Sequence, residues 1–265
     1  MNKLPEPSGR HVVQPAKWGL PFAEDEMKAV AKREQSYIVA IAICTILAWQ
    51  TEIGTLALMP FTLLATWYHE MAHGLMAMML GANFDQLVIF SNGSGYAQYS
   101  VNGTMWGISS ALVAAAGLLG PAIAGSGMII ASRSKLTTQL ALAGLGAALI
   151  ISTLIWVRSI TGWIVLPAFA VASIWIAFSR RPRLQRFAIE FLGVQAAISI
   201  WLHLGYLFSD GGVMDGRRIV SDTGVIADAL FLPYWVWGGL ITATVVWMIW
   251  WSLRLARRDS AQITR

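Results

Sequence analysis

The chain predicts a helical fold whose solvent is lipid, and three observations carry that expectation. Of its 265 residues, 56% are hydrophobic and only 12% are charged, whereas soluble chains carry about 25% charged residues. Mean hydropathy is +0.59, with thirteen tryptophans. Charge is also missing from long stretches: there is none from Gln86 to Ser132, nor across Leu136–Val157, Ser159–Ser179, Phe191–Ser209 or Ala229–Leu253. Each run is near or above the ~20 residues that a helix needs to cross about 30 Å of hydrocarbon. The expected fold class is an all-α polytopic membrane protein of about seven transmembrane helices, with a small β-hairpin after the second.

The elements follow in chain order. Residues 1–36 form a polar N-terminal arm containing Pro5, Pro7, Pro15 and Pro21, with no apolar signal-peptide region. A single membrane-embedded domain is expected over 37–254, followed by a basic tail at 255–265. Within the domain, apolar runs place spans at about 37–51, 55–81, 104–131, 136–157, 160–179, 184–208 and 231–254. Between the second and third spans, Phe84–Gly103 differs in kind. Its aromatic and β-branched runs are separated by Ser91-Asn92-Gly93-Ser94, a strand–turn–strand signal over about 84–103. Such a hairpin must pack on protein, lie at the interface or line a cavity, because unpaired backbone cannot face lipid.

Small residues crowd the third span, from Ala114-Ala115-Ala116-Gly117 to Gly120-Pro121, Gly125 and Gly127. They favour close helix approach, and Pro121 should kink the helix. The net charge of +5 does not point to nucleic acid. Its basic residues gather at Arg180, Arg181, Arg183 and Arg186 and at Arg254, Arg257 and Arg258, as membrane-flanking cations do. The one cysteine, Cys44, excludes an internal disulfide and a cysteine-based metal site. Nothing in the residues sets an oligomeric state.

Chemistry concentrates in the second span, at His69-Glu70-Met71-Ala72-His73. Residues four apart share one helix face, so both imidazoles can reach one metal ion. Glu70, beside the first imidazole, can take a proton from a water that zinc acidifies. Ionisable residues inside a membrane span are costly and mark function by default. A buried polar cluster locking helices together is the bland alternative.

Two histidines leave a tetrahedral catalytic zinc one protein ligand short. His11 lies in the arm, and His203 sits among Trp201, Leu202 and Leu204 as a packed histidine would. The carboxylates Asp85, Asp210, Asp215, Asp222, Asp228 and Glu190 remain. With four spans between them, the hairpin and the Asp210–Asp228 loop fall on the same side as the end of the His73 helix. An aspartate of that loop can therefore meet the histidines.

H-E-M-A-H in a membrane helix, a following hairpin with a Gly-rich turn, and a later aspartate together resemble the site-2 proteases, the intramembrane zinc metalloproteases. The resemblance is to their compact bacterial branch. It includes Ala116-Gly117-Leu118-Leu119-Gly120-Pro121 and a late Ser221-Asp222-Thr223 followed by Ala227, Pro233 and Trp237. It implies that His69 and His73 bind one zinc ion, that Glu70 is the catalytic acid/base and that Asp222 is the third ligand. The family's Leu-Asp-Gly motif is replaced here by Met214-Asp215-Gly216, which makes Asp215 the rival ligand. Asp222 is preferred because Asp215 lies seven residues further from the last span, among Gly and Arg. The resemblance further implies an integral protein of a bacterial cell (inner) membrane, with its site towards the cytosol. Its partners would be the lipid bilayer and a membrane-protein substrate cleaved in or near a transmembrane segment. With seven spans, the Arg180–Arg186 loop then lies on the outer face, against the positive-inside tendency. A non-proteolytic scaffold, binding or transport protein using the same cluster is the alternative reading, and Glu70 argues against it.

Overall fold

The computed structural model describes residues 36–258 apart from 102, 104–106 and 215–216. The expected polar arm, His11, Asp215 and the end of the basic tail lie outside the described residues. Helix α1 (Ser36–Ala48) meets α2 (Glu52–Met79) at a bend of 118°, and Thr51 caps α2 by accepting from the Gly54 amide. Strands β1 (Asn83–Ile89) and β2 (Gly95–Ser100) follow. Then come α3 (Gly107–Ala131), α4 (Lys135–Ile155), α5 (Ile160–Phe178) and α6 (Pro182–Ile198). A 3-10 turn, Ser199–His203, leads into α7 (Leu204–Leu207), β3 (Gly211–Met214), β4 (Arg217–Val220), α8 (Asp222–Ala229) and α9 (Tyr234–Arg258).

The protein is therefore mostly helical, with two small antiparallel sheets. Helices α3, α4, α5 and α9 are long and apolar enough to cross a membrane, and the bent α1–α2 pair brings the number to five if counted as one span. The expected count of about seven also rests on α1, α2 and α6. Of these, α6 has 17 residues and carries Arg183, Arg186 and Glu190. The sixth apolar run is not one helix, because α6 gives way to the 3-10 turn at Ser199. Pro121 lies inside α3, which continues through it as one helix.

The hairpin forms where the turn signal stands. Gly93 adopts φ +93, a left-handed conformation that glycine takes without strain, and Phe90 N–H donates to the Ser94 carbonyl at 2.8 Å. Strand β1 is covered on both edges. It pairs with β2 on one side, and on the other Leu87 exchanges hydrogen bonds with Trp156 and Arg158, at the end of α4. Because the Leu87 and Ile89 amides point away from β2, towards Trp156 O and Ser159 Oγ, their partners Ala97 and Gly95 are non-hydrogen-bonded pairs. The backbone groups of Ala97 and Gly95 thus face the outer edge of β2.

One core cluster joins α2, β1, α4, α5 and α6 around Leu87, Leu142, Leu149 and Leu166. A second joins α3, α8 and α9 around Ala114, Ile226, Ile241 and Val245. Helix α3 lies between them because its small residues admit close neighbours: a Cβ on Gly125 would stand 2.4 Å from the Gly193 carbonyl oxygen of α6.

Candidate metal centre

Helix α2 carries His69 and His73 on one face, and α8 brings Asp222 to them. The junction before α8 is built by hydroxyls. Ser221 accepts from the Gly224 amide and donates to the Ser209 carbonyl, while Thr223 donates to the Leu207 carbonyl at 2.9 Å. Those bonds fasten the start of α8 to the end of α7. Asp222 is the first residue of α8, and its carboxylate turns towards α2.

The ligand-type atoms converge. His69 Nε2 lies 3.1 Å and His73 Nε2 lies 3.5 Å from Asp222 Oδ2, and the two Nε2 atoms stand 3.0 Å apart. A tetrahedral zinc with bonds of 2.0–2.2 Å needs its ligand atoms about 3.3–3.6 Å from one another, close to what is seen. Within the group, Oδ2 is buried and accepts no well-aligned hydrogen bond. His73 Nδ1 lies 2.8 Å from the Val113 carbonyl oxygen. Donation there fixes the tautomer and leaves the Nε2 lone pair directed into the cluster, a common second contact of metal-binding histidines. This donor set fits a zinc ion. Asp222 lies outside the membrane-crossing helices. Burial raises its carboxyl, but the His73 and His69 imidazoles outweigh that effect and hold it well below the usual carboxylate range.

Glu70 stands beside this group, not within it. Its side chain is buried, and its carboxylate faces the Ala97 backbone amide. A Cβ on Gly95 would come within 3.2 Å of Glu70 Cγ. The outer edge of β2 therefore runs past Glu70.

The other sequence candidates lie elsewhere. Asp85 accepts from Ser100 Oγ within the hairpin, Glu190 is paired with Arg186 at 2.9 Å, and Asp228 is exposed on α8. Asp210 is likewise exposed, and His203 belongs to the 3-10 turn. Gly117 has a part that its sequence did not disclose. A Cβ there would stand 2.1 Å from His73 Cε1, so glycine is what lets α3 cross over the imidazole. Its place in a run of small residues signalled close packing without naming the neighbour.

Apolar helices long enough to cross a bilayer, with an H-E-x-x-H helix meeting a distant aspartate, define a membrane protein of metallopeptidase type. The chain matches the Peptidase M50B-like family model over residues 37–252. It belongs to that family, whose name makes it a metallopeptidase family. Among curated proteins and among solved structures, nothing matches the chain.

Proposed function

We propose that this protein is an intramembrane zinc metalloendopeptidase of the H-E-x-x-H type, hydrolysing peptide bonds in or near the transmembrane segments of membrane proteins. The observation that carries the reading is the convergence of His69, His73 and Asp222 within 4.8 Å, with Glu70 next to them. His69, His73 and Asp222 would hold the metal. A bound Zn²⁺ would supply Lewis-acid polarisation of the scissile carbonyl and of water. Glu70 takes a proton from the attacking water and returns it to the leaving amine, the general base becoming the general acid. An extended substrate lies along the outer edge of β2 by strand addition, with the outward backbone groups of Gly95 and the Ala97 carbonyl as its partners, the Ala97 amide being turned to Glu70. A helix hides its peptide bonds, so the substrate segment must unwind to pair there. The resemblance to the compact bacterial branch supports a bacterial cell membrane as its location.

Glu70→Gln separates the roles. The variant should keep zinc near one ion per chain by metal analysis and lose nearly all cleavage of a single-span model substrate. Loss of zinc would make Glu70 a ligand, and retained cleavage would remove it from the reaction.

A further inference from the structure

The hairpin turn is tied to α2 one helix turn before Glu70. Thr66 is 6% exposed, and its hydroxyl donates to the Gly93 carbonyl oxygen at 2.6 Å, with the Thr62 carbonyl oxygen further off at 3.1 Å. Its methyl lies under the start of β2: a Cβ on Gly95 would stand 2.7 Å from Thr66 Cγ2 and 3.2 Å from Glu70 Cγ. Thr62, Thr66 and Glu70 are spaced by four and line one face of α2. The turn and the first residue of β2 therefore rest on the helix face that carries Glu70. Bonds within the turn, from Phe90 N–H to the Ser94 carbonyl and from Ser94 N–H to Asn92 Oδ1, shape it without setting its distance from α2. Strand β1 is fastened on its far side to the segment after α4, whereas the Thr66 bond acts at the β2 end of the turn.

We propose that Thr66 is a positioning residue that sets specificity: by holding the start of β2 against α2, it fixes which peptide bond of an edge-bound substrate meets Glu70. The inference rests on the peptidase reading above and on strand addition at β2. A peptide added to a sheet edge takes its place from the edge backbone, and successive strand residues are only about 3.3 Å apart. A small displacement of the edge therefore changes which carbonyl lies nearest Glu70. The Thr66 hydroxyl proton is already given to Gly93, so Thr66 acts through the strand and not on the reacting atoms.

The test uses full-length zinc-loaded protein in detergent with a single-span model substrate, comparing wild type, Thr66→Val and Thr66→Ser. Valine keeps the shape and loses the donor, while serine keeps the donor. Product masses should show one cleaved bond for wild type and Thr66→Ser, and cuts at neighbouring bonds as well for Thr66→Val. For Thr66→Val, kcat/KM should also fall roughly tenfold, the scale of one lost hydrogen bond, with zinc content unchanged. The same single bond cut by Thr66→Val overturns the assignment, as does a wild type that already cuts several. Loss of zinc or of folded protein in Thr66→Val overturns it too, since the hydroxyl would then support the fold alone. Register is also read without cleavage. In a Cys44→Ser, Glu70→Gln background, Tyr96→Cys on β2, 42% exposed as tyrosine, should crosslink to one position of a cysteine-scanned substrate, and to several once Thr66→Val is added. One unchanged position, or no crosslink at all, overturns the assignment. Should the wild type cleave nothing, the peptidase reading fails, while the crosslinks still decide Thr66; they decide it likewise where Thr66→Val folds, keeps zinc and cleaves nothing.

Discussion

Only hydrogen fits on Gly117 where α3 crosses His73, and that gives the site a packing requirement separate from its ligands. Gly117→Ala places a methyl 2.1–2.2 Å from His73 Cε1 and Nε2, so the imidazole must leave its position under the Val113 carbonyl. Zinc affinity should drop about tenfold or more, as when the contacts orienting a ligand are lost, read by competition with a chromogenic chelator. Gly127→Ala on the same helix meets open space and should leave zinc binding unchanged. The proposed third ligand has a similar pair. Asp222→Ala should empty the site with the fold largely kept, because binding needs that deprotonated carboxylate, while Asp215→Ala should leave zinc content near wild type. Reversal would make Met214-Asp215-Gly216 the counterpart of the family motif. His69, Glu70 and His73 were legible because one helix turn fixes their spacing. Asp222 was legible only down to a loop, since six aspartate and glutamate candidates shared the charge and chain topology alone sorted them. The Gly117–His73 contact joins two helices, and residue type alone does not name a neighbour 44 positions away.

At the scale of elements, the hairpin could be read because Asn92-Gly93 demands a turn whatever the surroundings. The division of the sixth run could not: Phe191–Ser209 stays apolar through the change from α6 to the 3-10 turn, and hydropathy does not register a change of helical pitch. The short β3–β4 ladder lies in a loop that carried no strand signal. The register of β1 and β2 also makes a prediction that alternation alone would not. The Ala97 amide faces outward towards Glu70, so Ala97→Pro takes a donor from the Glu70 carboxylate and none from the β1–β2 ladder. Cleavage should fall about tenfold, the scale of one or two lost hydrogen bonds, with zinc content unchanged. Gln98→Pro, which removes an inward donor, should instead destabilise the hairpin. A wild-type rate for Ala97→Pro, measured on a single-span substrate, would show that the Glu70 carboxylate does not need that amide.

Across the whole molecule, charge is divided between two ends. Helix α5 starts beside the segment paired to β1, and its 19 residues carry the chain about 28 Å away to Phe178. Ile129, near the end of α3, shares a cluster with Leu253 and Ala256 of α9, so those helices finish at that same far end. Among the described residues, nine basic ones therefore collect opposite the His69–His73–Asp222 group: Arg133, Lys135, Arg180, Arg181, Arg183, Arg186, Arg254, Arg257 and Arg258. The cluster's own end holds Arg158, Arg217 and Arg218. Lysine and arginine bias towards the cytoplasm sets orientation, so the basic end should be cytoplasmic and the His69–His73–Asp222 group should lie towards the outer face. This is opposite to the orientation that the family resemblance implies. In a Cys44→Ser background, single cysteines at Arg158 and Arg181, both exposed and at opposite ends of α5, read the difference. A membrane-impermeant maleimide applied to spheroplasts should label the cysteine at Arg158 directly and the one at Arg181 only after permeabilisation. The reverse order would turn the site to the cytosol and show that packing overrides the charge bias here. Labelling of both from one side would mean that α5 does not carry the chain across the bilayer.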